Sequence, residues 1–353
     1  MNLGPLAGLF FHWLGGAASA SFYVPYKGIR HWSWEVFWIT GGLFSWLLCP
    51  WLFAFIQSKD LLSVLQAVPA RTLFWCWFWG CMWGLGGLTF GLTMRYLGLS
   101  LGMAVALGLT TVIGTLGPPI FRGTLWDLAA TGSGRITFVG IAVTLVGIVA
   151  VALAGRAKER ETVVKPGSAV VEFDLRKGLL IAVFSGVLSG CFAWGLDAGQ
   201  SIREASRAAG TSELWQGLAV LCVVLAGGLT TNFIWCLGLI IRKRTAGEFV
   251  GRTVGATRPP LLRNYLLAAA GGTLWYLQFF FYTMGESQMG RYAFSSWSLH
   301  MASIILFSTL WGFALGEWQG VSRKTRNLVW TGISLLIGST VIIGVGNYLS
   351  AAA

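Results

Sequence analysis

Long apolar stretches dominate the chain, and ten of them reach at least 19 residues without an acidic or basic side chain. Their hydrophobic residues run continuously and do not alternate with polar ones, which favours helices over the strands of a membrane β-barrel. A helix needs about 20 residues to cross the ~30 Å hydrocarbon layer, because each residue rises ~1.5 Å. The ten stretches are 1–26, 36–58, 72–94, 96–121, 136–155, 178–196, 214–241, 264–285, 292–316 and 327–353. The pattern predicts an all-α polytopic membrane protein with ten transmembrane helices.

Composition supports this prediction and excludes two other classes. The 353 residues are 55% hydrophobic and 11% charged, with a mean hydropathy of +0.69. A soluble domain typically carries about 25% charged residues. Disorder is excluded because the chain has 14% aromatic residues, including 19 Trp. No basic residue precedes Lys27, so we interpret the first stretch as a retained helix and not as a signal peptide.

Several kinds of chemistry are missing from the sequence. The six Cys all lie in apolar stretches and form no CxxC pair, which argues against a metal site or a disulfide framework. There is no GxxxxGK[ST] loop for ATP and no HExxH for zinc, and the one GxSxG string, GLSLG at 98–102, lies inside an apolar stretch and not at the strand-to-helix turn that a nucleophile elbow needs. We therefore expect a protein that is not an enzyme, with no cofactor, no bound metal and no ATPase subunit as partner.

Basic residues concentrate in two loops, and they indicate how the chain is oriented. Of 25 Lys and Arg, 12 fall in residues 156–177 and 242–263, and the net charge is +12. Eighteen follow odd-numbered stretches and seven follow even-numbered ones. Because cytoplasmic loops carry the excess of basic residues, we expect both basic loops in the cytoplasm and both termini in the periplasm. The charge is thus a topology signal, and no nucleic-acid partner is expected.

The two halves of the chain resemble each other. Five identities relate residues 8–22 to 178–192 at a spacing of 170, and three relate 80–85 to 272–277 at a spacing of 192. The identities are Gly8/Gly178, Leu9/Leu179, Gly16/Gly186, Ser19/Ser189, Phe22/Phe192, Gly80/Gly272, Trp83/Trp275 and Leu85/Leu277. They pair the first stretch with the sixth and the third with the eighth.

This pairing divides the chain into two five-helix halves. Residues 1–155 form the first half, 156–177 a cytoplasmic basic linker and 178–353 the second half. Since five is odd, the second half must be inverted relative to the first. Two inverted repeats that rock around a site near the bilayer midplane are a recurring basis of alternating access in transporters.

Five sequence strings carry a specific resemblance. They are FYVPYK (22–27), WSWE (32–35), GLTMRYLGLSLG (91–102), WYLQFFFY (275–282) and SLHM (298–301). In this order they resemble the bacterial L-rhamnose–proton symporter family of the drug/metabolite transporter superfamily. The resemblance implies proton-coupled uptake of L-rhamnose, or of a closely related 6-deoxy sugar, across the bacterial inner membrane. The partners implied are a small sugar and the lipid bilayer, and the coupling ion is the proton.

Four ionisable side chains are candidates for proton coupling, because ionisable groups in hydrocarbon are costly and usually functional. His300 and His12 lie deepest in their stretches, and histidine titrates near neutrality. Asp197 and Glu286 follow two helices on the side predicted to face the periplasm. The alternatives are structural histidines bonded to a neighbouring helix and solvated acids at helix ends.

Five side chains are candidates for binding the sugar, which needs partners for its hydroxyls and an apolar wall for its C–H face. Trp275, Gln278 and Tyr282 share one helical face. Trp83 is the repeat equivalent of Trp275, and Lys27 ends the first stretch at the predicted cytoplasmic side. The alternative for the aromatic residues is contact with lipid, and for Lys27 a topological anchor.

Other functions stay open at this stage. The chain could carry another sugar or metabolite within the same superfamily. A channel or sensor is a further alternative, which accumulative and saturable transport would distinguish from a symporter.

Overall fold

The computed structural model describes residues 4–97, 99–161, 174–252 and 258–351, and helices make up most of them. Part of the predicted linker, residues 162–173, lies outside the described residues. The α-helices are α1 Gly4–Ser21, α2 Tyr23–Tyr26, α3 Trp34–Leu43, α4 Cys49–Gln57, α5 Leu61–Ala67, α6 Ala70–Leu97, α7 Leu99–Phe121, α8 Leu125–Ala130, α9 Gly132–Glu161, α10 Leu175–Ala198, α11 Gln200–Ala208, α12 Leu218–Lys243, α13 Leu261–Ser287, α14 Ser296–Ala314 and α15 Arg323–Ala351.

Six segments of the described chain are long and apolar enough to cross a membrane. They are Trp34–Gln57, Gly132–Glu161, Leu175–Ala208, Glu213–Lys243, Gly290–Ala314 and Arg323–Ser350, and α5 with α6 gives a seventh if this bent pair is one span. The remaining predicted stretches are also helical, as α1, α7 and α13. α1 and α13 are less apolar because they carry His12 and Gln278 besides many small and aromatic residues. The all-helical, multi-pass class is confirmed.

Two helices are each held between a pair of helices from the other half of the chain. α1 packs between α13 and α14, and α10 packs between α6 and α7. Small residues make this possible: a Cβ at Gly16 would overlap Ser303 of α14, and one at Gly186 would lie 2.8 Å from the backbone oxygen of Ala106 in α7. Such close backbone approach is how helices associate in lipid, where no hydrophobic force drives them together. α9 packs along α15 at another contact between the two halves.

The second apolar stretch contains a local change of helix type. α3 ends at Leu43, residues Phe44–Leu48 form a π-helical turn, and α4 begins at Cys49. Pro50 has no N–H to donate to the carbonyl of Trp46, so the regular α-helical ladder cannot continue there. π-Helical turns in membrane and soluble helices are frequently found at functional sites.

The loop before α3 is fastened to the segment that follows α12. The carboxylate of Glu248 accepts hydrogen bonds from the Ser33 N–H at 2.5 Å and the Ser33 hydroxyl at 2.6 Å. Glu35 is fully buried and accepts hydrogen bonds from the Lys243 ammonium at 3.0 Å and the Thr245 hydroxyl at 3.1 Å. These contacts join the two halves at the ends that the basic loops occupy. The sequence analysis did not single out Glu35 or Glu248.

We expect the close contacts to govern stability, and α6 offers a matched test. A Cβ at Gly80 would overlap the carbonyl oxygen of Val224 in α12, whereas nothing lies within 4 Å of a Cβ at Gly87. Gly80→Ala should lower the free energy of unfolding by about 1–3 kcal/mol through overpacking. Gly87→Ala should change it by less than about 0.5 kcal/mol. Thermal unfolding of the purified variants measures both, and equal effects would contradict the packing described.

Candidate functional site

Two histidines and one tyrosine meet inside the helix bundle. The rings of His12 in α1 and His300 in α14 are 6.3 Å apart, and the ring of Tyr282 in α13 lies 5.4 Å from the first and 5.2 Å from the second. Both histidines are at most 1% exposed. None of their four ring nitrogens has a hydrogen-bond partner among the described residues. Buried polar groups without partners are costly, so this cluster is the primary candidate for a functional site.

Glycines bring these three helices together. A Cβ at Gly15, one turn after His12, would lie 3.1 Å from the imidazole of His300 and 2.9 Å from the backbone oxygen of Gln278. A Cβ at Gly285 would lie 2.8 Å from Nε2 of His12. The small face of α1 and one small residue of α13 therefore make room for the imidazole rings.

A buried amide lies one helical turn before Tyr282. The side chain of Gln278 is 2% exposed, and its Nε2 has no partner in the described part of the chain. Trp275, a further turn back, is partly buried, and its Nε1 is also unpaired there. The ring of Trp275 lies 4.2 Å from that of Phe22 at the end of α1. Two polar donors and a flat aromatic face thus extend along α13 from the histidines.

The aromatic contacts continue into the first half of the chain. The ring of Phe279 lies 5.9 Å from Trp275 and 5.3 Å from Trp83 of α6, so both tryptophans contact the same phenylalanine. Trp83 also contacts Phe192 of α10 at 5.1 Å. Trp297 of α14 lies 5.6 Å from Phe192, between this group and the histidines. The centre of the bundle is filled by rings drawn from both halves.

Each of the two predicted carboxylates forms an ion pair with an arginine that was not predicted from the sequence. Glu286, one helical turn after Tyr282 in α13, accepts a hydrogen bond from Arg203 of α11 at 2.7 Å. Asp197 near the end of α10 binds Arg122 through two contacts, at 2.5 Å and 3.1 Å. Both pairs cross between helices, so they brace this end of the bundle. A charge count cannot detect such pairing, since the partners are at least 75 residues apart.

Lys27 is the one candidate that lies apart from the others. It is the residue after α2, and its side chain is exposed. Fifteen residues of nearly continuous helix separate it from His12, or roughly 22 Å. The structure thus brings together His12, His300, Tyr282, Gln278, Trp275 and Trp83, leaves Asp197 and Glu286 in ion pairs, and keeps Lys27 at a helix end.

Metal-ligating residues do not cluster in the part of the chain that the structure describes. No group of three or more His, Cys, Asp or Glu side chains there could hold a metal ion. The six cysteines are buried and form no disulfide bond with one another.

Comparison with known proteins identifies the family. A sequence model of the L-rhamnose-proton symport protein family (RhaT) matches residues 1–349. The chain belongs to this family. An L-rhamnose-proton symporter of Cronobacter sakazakii is 37% identical over 340 residues, covering 96% of this chain and 97% of the relative. Those of Enterobacter sp. and Klebsiella pneumoniae are 36% identical over 347 residues, covering 98% of this chain and 99% of each relative.

Membership confirms the resemblance drawn from the five strings. It also gives the class of activity: the family consists of symporters, so the chain is a transporter and not an enzyme.

We expect the Arg203–Glu286 pair to contribute to stability as a unit. Arg203→Met leaves a carboxylate that is only 15% exposed without its partner, which should cost about 3–5 kcal/mol. Replacing Glu286 by Met as well should restore most of this loss, because no uncompensated charge is left. The control is Arg122→Met, whose side chain is 48% exposed and should cost at most about 1 kcal/mol. Unfolding temperatures measure all three variants, and a double variant less stable than Arg203→Met would contradict this account.

Proposed function

We propose that the protein takes up L-rhamnose, or a closely related 6-deoxy sugar, together with protons across the bacterial inner membrane. The observation that carries this proposal is the buried cluster of His12, Tyr282 and His300 with its unpaired nitrogens, continuous with Gln278 and Trp275. Relatives named L-rhamnose-proton symporter match nearly the full chain and support this substrate and this coupling ion. Another sugar or metabolite is the alternative. No cofactor besides the proton is part of the proposal.

We further propose ten transmembrane helices in two inverted five-helix repeats, with residues 1–155 and 178–353 as the halves. Equivalent residues support this. Gly16 meets α14, and its counterpart Gly186 meets α7, while Gly80 meets α12, and its counterpart Gly272 meets α3. Each half inserts its first helix between two helices of the other.

Aromatic contacts support the same symmetry. Trp275 contacts Phe22, and Trp83 contacts Phe192. Trp83 is the repeat equivalent of Trp275, and Phe192 is that of Phe22, so the same contact occurs in both halves. Within the proposed spans, His12, Trp83 and Trp275 each lie near the middle of their helices. This is the depth at which repeat transporters bind substrate.

In this proposal the sugar lies between the histidine cluster and the two tryptophans. Gln278 and Tyr282 bond its hydroxyls, and Trp275 and Trp83 cover its C–H face. An amide facing lipid would be unsatisfied, which favours a polar ligand for Gln278. Lys27, being exposed at the end of α2, would act only at the cytoplasmic mouth.

The proposed proton site is the histidine pair, His300 with His12. Because a buried imidazolium without a counter-charge is costly, protonation there requires the site to open to water. Asp197 and Glu286 would load protons from the periplasmic side only after release from Arg122 and Arg203. Symport requires that proton and sugar favour each other's binding, and the contact of Tyr282 with both histidines offers a route for this coupling.

Uptake of labelled L-rhamnose into proteoliposomes tests the function. With an inward proton gradient the protein should accumulate the sugar, and without one it should only equilibrate it. His300→Gln should keep sugar exchange but lose accumulation, because exchange needs only the loaded carrier to reorient. The control is His31→Asn, an exposed histidine outside the cluster. Accumulation by His300→Gln with unchanged pH dependence would remove His300 from coupling, and transport of other sugars alone would favour the alternative substrate.

Cysteine labelling tests the proposed orientation, in which both termini are periplasmic. Ala246 follows α12 near the basic loop, Ser212 follows α11, and both are exposed. A membrane-impermeant thiol reagent added to intact cells should modify Ser212→Cys once it has crossed the outer membrane, and should spare Ala246→Cys. The native cysteines are buried and give little background. The reverse pattern would invert the topology.

A further inference from the structure

A small cavity lies between α2, α3 and α13, beside Trp275. Its volume is about 10 Å³, enough for a single water molecule. Aromatic rings form most of its wall, and the lining residues include Tyr26, Trp38, Ser45, Trp46 and Trp275. Nothing in the family match or in the relatives' names assigns a role to this place.

Three side chains that line the cavity carry a buried polar atom without a hydrogen-bond partner among the described residues. Ser45 is 1% exposed and Trp46 is 3% exposed. The Ser45 hydroxyl, the Trp46 Nε1 and the Trp275 Nε1 all lack a hydrogen-bond partner among the residues the structure describes. By contrast, Trp38 beside them donates its Nε1 hydrogen to Asn232 at 2.9 Å. Three unsatisfied groups around one cavity indicate a ligand with several hydroxyls, because each buried group left unpaired is costly.

The π-helical turn is what brings two of these groups here. Ser45 and Trp46 lie within the turn Phe44–Leu48, whose wider winding shifts the positions that follow Gly42 around the helix. Gly42 lies against the ring of Trp46, so a side chain there would displace it. Ser45 is also at the middle of the segment Trp34–Gln57, at a depth comparable to that of Trp275 within α13.

The equivalent groups in the second half have partners. The shared Gly-Gly-Leu triplet aligns Gly41 with Gly227, and therefore Ser45 with Thr231 and Trp46 with Asn232, whose side chains both donate hydrogen bonds to the carbonyl of Gly228. Gly228 lies directly against the ring of Trp83, the counterpart of Trp275. Hydrogen-bonded side chains in the second half thus correspond to groups without a described partner in the first. Helix packing alone would give the same arrangement in both halves.

We propose that Ser45 and Trp46 form a sugar subsite with Trp275, in which their hydroxyl and indole N–H groups bond hydroxyls of a bound pyranose. This inference rests on the proposed function and adds specificity-determining residues to it. The cavity is too small for a sugar in the state described, so entry requires α3 to separate from α13. The backbones of Gly41 and Gly272 meet there, and the ring of Tyr26 lies against Gly41 and Gly271, so the separation must also move Tyr26.

Calorimetric titration of the purified protein with L-rhamnose tests the subsite. Ser45→Ala and Trp46→Phe should each weaken binding roughly tenfold, the loss expected for one hydrogen bond. The controls are Ser63→Ala and Trp235→Phe, both at exposed positions, which should bind as the unaltered protein does. If the unaltered protein binds L-rhamnose and both Ser45→Ala and Trp46→Phe bind it with the same affinity, the subsite is overturned and the proposed function is not. No binding of L-rhamnose by the unaltered protein would instead overturn the proposed function.

Deoxy analogues separate direct contact from an indirect change of packing. For one of the 2-, 3- and 4-deoxy forms of L-rhamnose, the tenfold difference between the unaltered protein and Ser45→Ala should disappear, because the hydroxyl that Ser45 holds is already missing. Ser45→Ala removes a single oxygen atom, so this measurement does not depend on how Trp46→Phe folds. An unchanged difference with all three analogues, and also with the 1-deoxy form, would exclude direct contact by Ser45.

Discussion

Close approach of helix backbones at small residues is the constraint on which this structure depends. Lipid provides no hydrophobic force between helices, so association relies on packing at short distance. Gly16, Gly80, Gly186 and Gly272 each meet a helix of the other half. The same approach sets the inner site, since Gly15 leaves the space into which the His300 ring points. Both the helix contacts and the proposed site therefore depend on the space that a glycine leaves by lacking a side chain.

Polar groups in the interior divide into those with partners and those without. Glu35, Arg203 and Glu286 are buried, or nearly so, and each forms an ion pair with a charged group on another helix. The imidazoles, Gln278 and the groups around Ser45 are not satisfied within the described chain. The first set holds helix ends together, whereas the second set lies at mid-helix, in the proposed substrate site. A buried polar group without a hydrogen-bond partner destabilises the protein, and a bound ligand that pairs with this group removes that cost.

Sequence patterns predicted most of the helices, because a charge-free stretch of this length has few alternatives in a membrane protein. They also gave His12, His300 and Gln278, since polar residues inside apolar stretches are rare enough to notice. They could not give Arg122 or Arg203 as partners of the carboxylates, because pairing across helices depends on tertiary packing. The π-helical turn could not be predicted from the sequence either. Pro50 indicates that the α-helical hydrogen bonds are interrupted, but it does not indicate that Ser45 and Trp46 line a cavity with Trp275.

The exchange of first helices between the halves has a consequence for biosynthesis. His12 finds its partner only after residue 300 has been made, and at roughly 5–20 residues per second this takes on the order of 15 to 60 s. Until then α1 carries a polar ring without its final neighbours, in lipid or beside the insertion machinery. α10 is different, because α6 and α7 precede it and can receive it directly. The first half is therefore incomplete until late in translation: α13 and α14 close around the N-terminal helix, and α15 then packs along α9.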